Sequence, residues 1–130
     1  MIIDTQLLDS LTSQAQASPR LRMNLDLRTS AQDGSQRMLN AIEPGTVVPV
    51  HRHQKSSETL VVLRGCAVEE FYASDGLLQE SIELSSGGPV RALNIPAGQW
   101  HTIKALEPGT VILEMKDGAY EPVREEDILK

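Results

Sequence analysis

Four side chains in this sequence have types and spacing that could do chemistry: His51, His53, Glu58 and His101. His51 and His53 are one residue apart, so on an extended stretch both imidazoles project from the same face at nearly fixed separation. Glu58 lies five positions beyond His53, at the start of the next apolar run, where a carboxylate can swing back to the same centre. His101 arrives from a distant part of the chain, just after the tight turn Pro96-Ala97-Gly98. Neutral imidazole nitrogens and a carboxylate suit Zn, Fe, Mn, Co or Ni and leave coordination positions for water or a substrate.

The elements that must position these residues are short and mostly extended. From Arg20 onward, runs rich in Val, Ile and Leu follow a period of two and are broken by turn residues at intervals typical of an all-β sandwich or barrel. The pattern predicts strands near Arg20–Leu27, Gln36–Glu43, Val47–His53, Thr59–Arg64, Cys66–Tyr72, Leu77–Leu84, Val90–Ile95, Trp100–Ala105 and Thr110–Lys116. Glu43-Pro44-Gly45-Thr46 and Glu107-Pro108-Gly109-Thr110 are Pro-Gly turns that recur 64 positions apart, compatible with two related halves of one barrel. Asp75-Gly76 is a hairpin signal and Ser85-Ser86-Gly87-Gly88-Pro89 a loop. The one helix candidate runs from Asp4 to Ala17. Asp4 caps it, Ile3, Leu7, Leu8 and Leu11 form a narrow apolar stripe, and Ser18-Pro19 ends it. So narrow a stripe predicts a helix lying across the outside of something larger. The acidic tail after Asp117-Gly118 either covers an edge or stays mobile.

Composition narrows the function classes. At 130 residues the chain has room for one core, and it needs no disulfide staples. Twelve basic against eighteen acidic residues give a formal net charge of −6, a poor basis for gripping a phosphate backbone. Nucleic acid is therefore not the expected partner. Cys66 is the sole cysteine, which rules out an intrachain disulfide and fits a reducing compartment. No stretch approaches the roughly 20 apolar residues needed to span a bilayer. The N-terminus has no basic region followed by an apolar stretch and a cleavage site. The expectation is a soluble, cytoplasmic protein.

The site residues carry a resemblance. Gly45, five residues, His51, one residue, His53, four residues, Glu58, six residues, Gly65 resembles the first cupin motif in full, and Pro96-Ala97-Gly98, two residues, His101 resembles the heart of the second. The second motif departs at Val90, where a glycine is usual, and at Ala105, where an asparagine is usual. Neither is a ligand position. The helix, the runs Ser18-Pro19-Arg20-Leu21-Arg22-Met23-Asn24 and Gln36-Arg37-Met38-Leu39-Asn40, and the segment Glu114 to Tyr120 make nearly the whole chain similar to the WbuC family. These are bacterial cupin-fold metalloproteins often associated with O-antigen and polysaccharide gene clusters. The resemblance implies an all-β double-stranded β-helix, the cupin jelly roll, with one N-terminal α-helix. It implies a single domain over residues 1–130: helix to 19, barrel over 20–116, tail over 117–130. It also implies one divalent transition metal ion held by His51, His53, Glu58 and His101, and a homodimer. Structural imidazoles bonded to backbone are the other use of these histidines, but every histidine falls on a ligand position.

Several residues are candidates for ligand binding. Alternation puts Arg20, Arg22 and Asn24 on one strand face, either a solvated outer face or the barrel mouth, where Arg suits phosphate and carboxylate. Gln36 and Asn40 share a face with Met38 and Ile42. If Pro44-Gly45 closes a direct hairpin, Gln36 sits beside His53 and Met38 beside His51, and Gln36 and Asn40 become polar groups in an apolar cavity. A one-residue slip would put Arg37 inside instead. Glu114 and Lys116 read as a surface pair, which the resemblance moves toward the pocket rim. Trp100 points away from the face of His101, Cys66 reads as a small buried hydrophobe, and Tyr120 could reach the cavity.

Three functions follow. The first is a metalloprotein acting on or binding a sugar, sugar nucleotide or related anionic small molecule in polysaccharide biosynthesis. The second is an Fe(II)-dependent small-cupin oxygenase. The third is a non-catalytic binding or sensing module.

Overall fold

The computed structural model describes all 130 residues. One helix, α1 (Thr5–Ala17), is followed by eight strands: β1 (Arg22–Asp26), β2 (Ser35–Ile42), β3 (Glu58–Arg64), β4 (Cys66–Tyr72), β5 (Leu78–Ser85), β6 (Ala92–Ile95), β7 (Trp100–Ala105) and β8 (Thr110–Asp117). A short 3-10 turn over Glu125–Asp127 closes the chain. The strands form two antiparallel sheets, β1-β2-β8-β3-β6 and β5-β4-β7. They make an all-β barrel, as the period-two pattern predicts, and its form is the jelly roll that the resemblance implies. No helix is long and apolar enough to cross a membrane.

The five-stranded sheet buries both faces, and its alternation sorts residues between two cores. Ile42, Leu60, Val62 and Ile112 point into the barrel and pack with Ala67, Leu84, Ile103 and Ala105 of the other sheet and its β7 edge. Leu39, Ala41 and Val111, of opposite parity, meet Leu11 and Ala15 of α1 on the outside. The Asp4 side chain accepts the Leu7 N–H at 3.0 Å and starts the helix, which lies across the outer face as its stripe predicts.

The end of the barrel remote from the histidines is closed by the two Pro-Gly turns. The carboxylate of Glu43 accepts the N–H of Gly109 from the other turn (3.1 and 3.4 Å), and the Thr46 and Thr110 hydroxyls donate within their own turns to the carbonyls of Glu43 and Glu107. Gly65 makes the corner between β3 and β4. Its φ is +85°, and a Cβ there would lie 2.4 Å from Thr110 Oγ1 and 2.8 Å from Thr110 Cα. Only glycine fits that corner.

Two expected elements differ. The stretch Val47–His53 is not a strand: Pro49 has no N–H to give a ladder, and only His51 forms isolated bridges, to His101 and Ile128. The first strand begins at Arg22 rather than Arg20, because Leu21 adopts φ 55° and breaks the alternation. Arg20 is therefore an exposed turn residue and does not share the strand face of Arg22 and Asn24.

Candidate metal centre

His51 and His101 are joined through their main chains, each N–H donating to the other's carbonyl at 3.0 and 2.8 Å. His53 is held by the N–H of Gly98, which donates to its carbonyl at 2.8 Å, so the Pro96-Ala97-Gly98 turn sits against the first histidine segment. The rings converge. Centroids lie 5.0 Å apart for His51 and His53, 4.4 Å for His51 and His101, and 5.6 Å for His53 and His101. One nitrogen from each ring lies within 4.8 Å of the others.

The hydrogen bonds set the ring tautomers. Nδ1 of His51 lies 2.8 Å from the carbonyl of Pro49, and Nδ1 of His101 lies 2.8 Å from that of Gln99. A carbonyl only accepts, so each Nδ1 carries a proton, and in the neutral ring Nε2 is the atom with the free lone pair. Nε2 of His53 is buried with no partner. Glu58, at the start of β3, brings Oε2 to 3.2 Å from Nε2 of His101 and Oε1 to 4.0 Å from Nζ of Lys116. Two electron-pair donors facing each other at 3.2 Å call for a proton or a cation between them.

Electrostatics favour the same occupant. Burial, then the charge of Lys116, pulls the His53 imidazole down to about 4. Burial, then His101, also lowers His51. Both rings are neutral near pH 7, the state a metal needs. Burial works to raise the Glu58 carboxyl, but the adjoining His101 ring and the charge of Lys116 outweigh it and lower it below its ordinary value. The orphaned Nε2, the fixed tautomers and the nitrogen–oxygen donor set fit a divalent transition metal ion.

Two cavities open nearby, and His53 lines the first of them. One of ≈ 320 Å³ runs from His53 to the C-terminal segment. Another of ≈ 280 Å³ lies against Asn24, Met38 and Glu114. Gln36, Lys116 and Tyr120 line both. Gln36 does not sit beside His53, nor Met38 beside His51: β2 pairs with β1 and β8, placing Gln36 opposite Lys116 and Met38 opposite Glu114. Asn40 lies on the barrel side of β2 with its Oδ1 buried and unpaired. Arg22 shares that side, with Nε buried and unpaired. Asn24 is exposed at the second cavity, and Arg20 lines neither.

Two features escaped the sequence reading, and a third was approached only through the resemblance. Glu114 and Lys116 are inward rather than a surface pair, because α1 covers the other face of β8. Burial and then the charge of Glu58 push Glu114 above its ordinary value. Glu69, between Ile82 and Ile103 on the inner face of the small sheet, is 1% exposed with both carboxylate oxygens unpartnered. Burial, then Glu58, raises it to about 9. Alternation with Ala67 and Phe71 was the available signal. The acidic tail is docked through Asp127, which no periodicity marks.

Solved structures share this fold. KdgF from Halomonas sp. is 18% identical with a TM-score of 0.62, over 79% of this chain and 84% of that one. The capsular polysaccharide assembling protein CapF from Staphylococcus aureus is 23% identical with a TM-score of 0.65, over 85% of this chain and 32% of that one. An oxalate oxidase in complex with the substrate analogue glycolate is 17% identical with a TM-score of 0.63, over 82% and 55%. The chain thus spans about a third of CapF and about half of the oxidase. The fold is a cupin-type jelly roll, and its three histidines are placed so that they could hold a metal ion. Within that class, residues 3–84, more than half of the chain, match the family described as "Domain of unknown function (DUF6016)", and the protein belongs to that family. No curated protein matches the sequence.

Proposed function

We propose that the protein is a mononuclear metallocupin that uses His51, His53, Glu58 and His101 to hold one divalent ion and binds or acts on a sugar- or sugar-nucleotide-like anion. The setting we assign is polysaccharide assembly of the WbuC type, in the cytoplasm, with the whole chain acting as one domain and pairing as a homodimer. The observation that carries the reading is the convergence of three imidazole nitrogens, one of them a buried orphan, beside a cavity. The shared fold of CapF, a capsular polysaccharide assembling protein, supports the substrate class.

A bound ion would polarise a carbonyl or hydroxyl oxygen, or lower the pKa of a water. The chain's own residues would do the rest. Gln36 and Lys116, at the junction of the two cavities, donate hydrogen bonds to an anionic or hydroxylated ligand, and Lys116 supplies positive charge. Arg22 and Asn40 keep unpaired polar atoms on the barrel side of the same sheet.

Protein purified without chelator should contain about one metal ion per chain by elemental analysis. Adding that ion to stripped protein should raise the melting temperature, and His53→Gln should abolish the rise. Substoichiometric metal with no thermal gain from any divalent ion would overturn the reading. Iron in the protein together with oxygen uptake would replace the sugar-directed activity with an oxygenase.

A further inference from the structure

Two of the three imidazoles hang from a stretch that neither sheet contains. Residues 50–54 touch β7 through the His51–His101 pair and the turn that precedes β7 through Gly98. On the other side they meet the C-terminal segment. Oδ1 of Asp127 accepts from Nε of Arg52 at 2.8 Å and from Nε2 of Gln54 at 2.6 Å. The carbonyl of Asp127 accepts the Arg52 N–H at 3.0 Å, Ile128 bridges to His51, and the Leu129 N–H donates to Val50 at 2.8 Å. Arg52 lies between the two histidines in sequence, and its guanidinium also stacks 4.6 Å from the Trp100 ring centroid. Asp127 is buried, although its neighbours Glu125 and Glu126 are exposed.

We infer that Asp127 is a positioning residue for the metal centre: by clamping Arg52 and Gln54 it supplies the missing strand-like partner of residues 50–54 and sets His51 and His53 for the ion. Docking of the tail and loading of the metal are then linked. An ion that requires the docked arrangement must stabilise it by the same factor that docking strengthens ion binding. The inference rests on the metal-binding reading proposed above. The fixed charge of Asp127 suits the role, since hydrogen bonds from Gln54 and Arg52 hold its carboxyl below the usual range.

The test uses full-length, chelator-stripped protein and Co²⁺ as probe, read by its d–d absorption. Wild type should bind about one equivalent. Asp127→Ala should weaken Co²⁺ binding by about 10- to 100-fold, the usual effect of losing a group that orients metal ligands, and should shift the visible bands. Asp127→Asn, which keeps an acceptor oxygen, should fall between the two. In wild type, Zn²⁺ should slow hydrogen exchange at the amides of Arg52 and Leu129, which the docked tail engages. If Asp127→Ala lowers only the apo melting temperature and leaves Co²⁺ affinity and spectrum unchanged, the residue is merely structural and the inference fails while the metal reading stands. If that variant does not fold, unchanged exchange at Leu129 on adding Zn²⁺ to wild type overturns the linkage. Absence of Co²⁺ binding by wild type overturns both.

Discussion

Replacing Glu69 with Gln should make the apo protein more stable at alkaline pH. The Glu69 side chain is 1% exposed between Ile82 and Ile103, and neither carboxylate oxygen has a partner. Burial, with the charges of Glu58 and Glu114 behind it, raises its pKa from 4.5 to about 9. The sign follows from proton counting. Between pH 4.5 and 9 the unfolded chain releases this proton while the folded chain keeps it, so stability falls as pH rises through that window. Each pH unit costs about 1.4 kcal/mol. The ceiling at pH 8 is therefore ~5 kcal/mol, and relaxation of the site brings the expected gain to ~2–3 kcal/mol. Gln keeps the shape and cannot ionise. At pH 5 its extra N–H leaves it within ~1 kcal/mol of wild type. Urea denaturation of chelator-treated wild type and Glu69→Gln at pH 5, 6.5 and 8 measures the difference. A difference that does not change with pH, or a wild type that is the more stable at pH 8, would refute the reasoning.

Two further substitutions test the frame around the site. Gly65→Ala should cost ~3 kcal/mol, combining a left-handed φ with a clash against the Thr110 backbone, whereas Gly98→Ala, with similar φ but open space, should cost only ~1–2 kcal/mol. Equal losses in chemical denaturation would show that the close approach to Thr110 is unimportant. Leu11→Ala should cost ~2–4 kcal/mol by leaving a cavity between α1 and the sheet, while Co²⁺ affinity stays unchanged, because the helix packs on the face away from the histidines.

Much of the site was legible because it is written locally. The spacing of His51, His53 and Glu58 and the turn before His101 marked the four residues that converge, and Asp4 marked the start of the helix. The bounds of β4 and β7 match the alternation residue for residue. What was illegible depends on partners far away in the chain. Gln36 faces Lys116 rather than His53 because β8 inserts beside β2, and no local pattern encodes that choice. Glu114 and Lys116 looked like a solvent face because a charged residue at every second position usually is one. Here α1 occupies one side of β8 and the barrel the other, so β8 has no solvent face. Glu69 was hidden by the same assumption. At residues 47–53, the alternation was right about the direction of the two imidazoles and wrong about the strand, since Pro49 denies the ladder a donor.

The order of strands bears on how the chain comes off the ribosome. β8, the last of these eight strands in chain order, is the middle of the five-stranded sheet, flanked by β2 and β3. Until it emerges, β1-β2 and β3-β6 are two separate ribbons with unpaired inner edges, and Glu43 lacks the Gly109 amide that satisfies it. Those ribbons bear apolar side chains on both faces, which have no partner to cover them until β8 arrives. Folding is thereby deferred to a late, all-at-once event of high contact order, in which the sheet and the histidine cluster it carries come into being together.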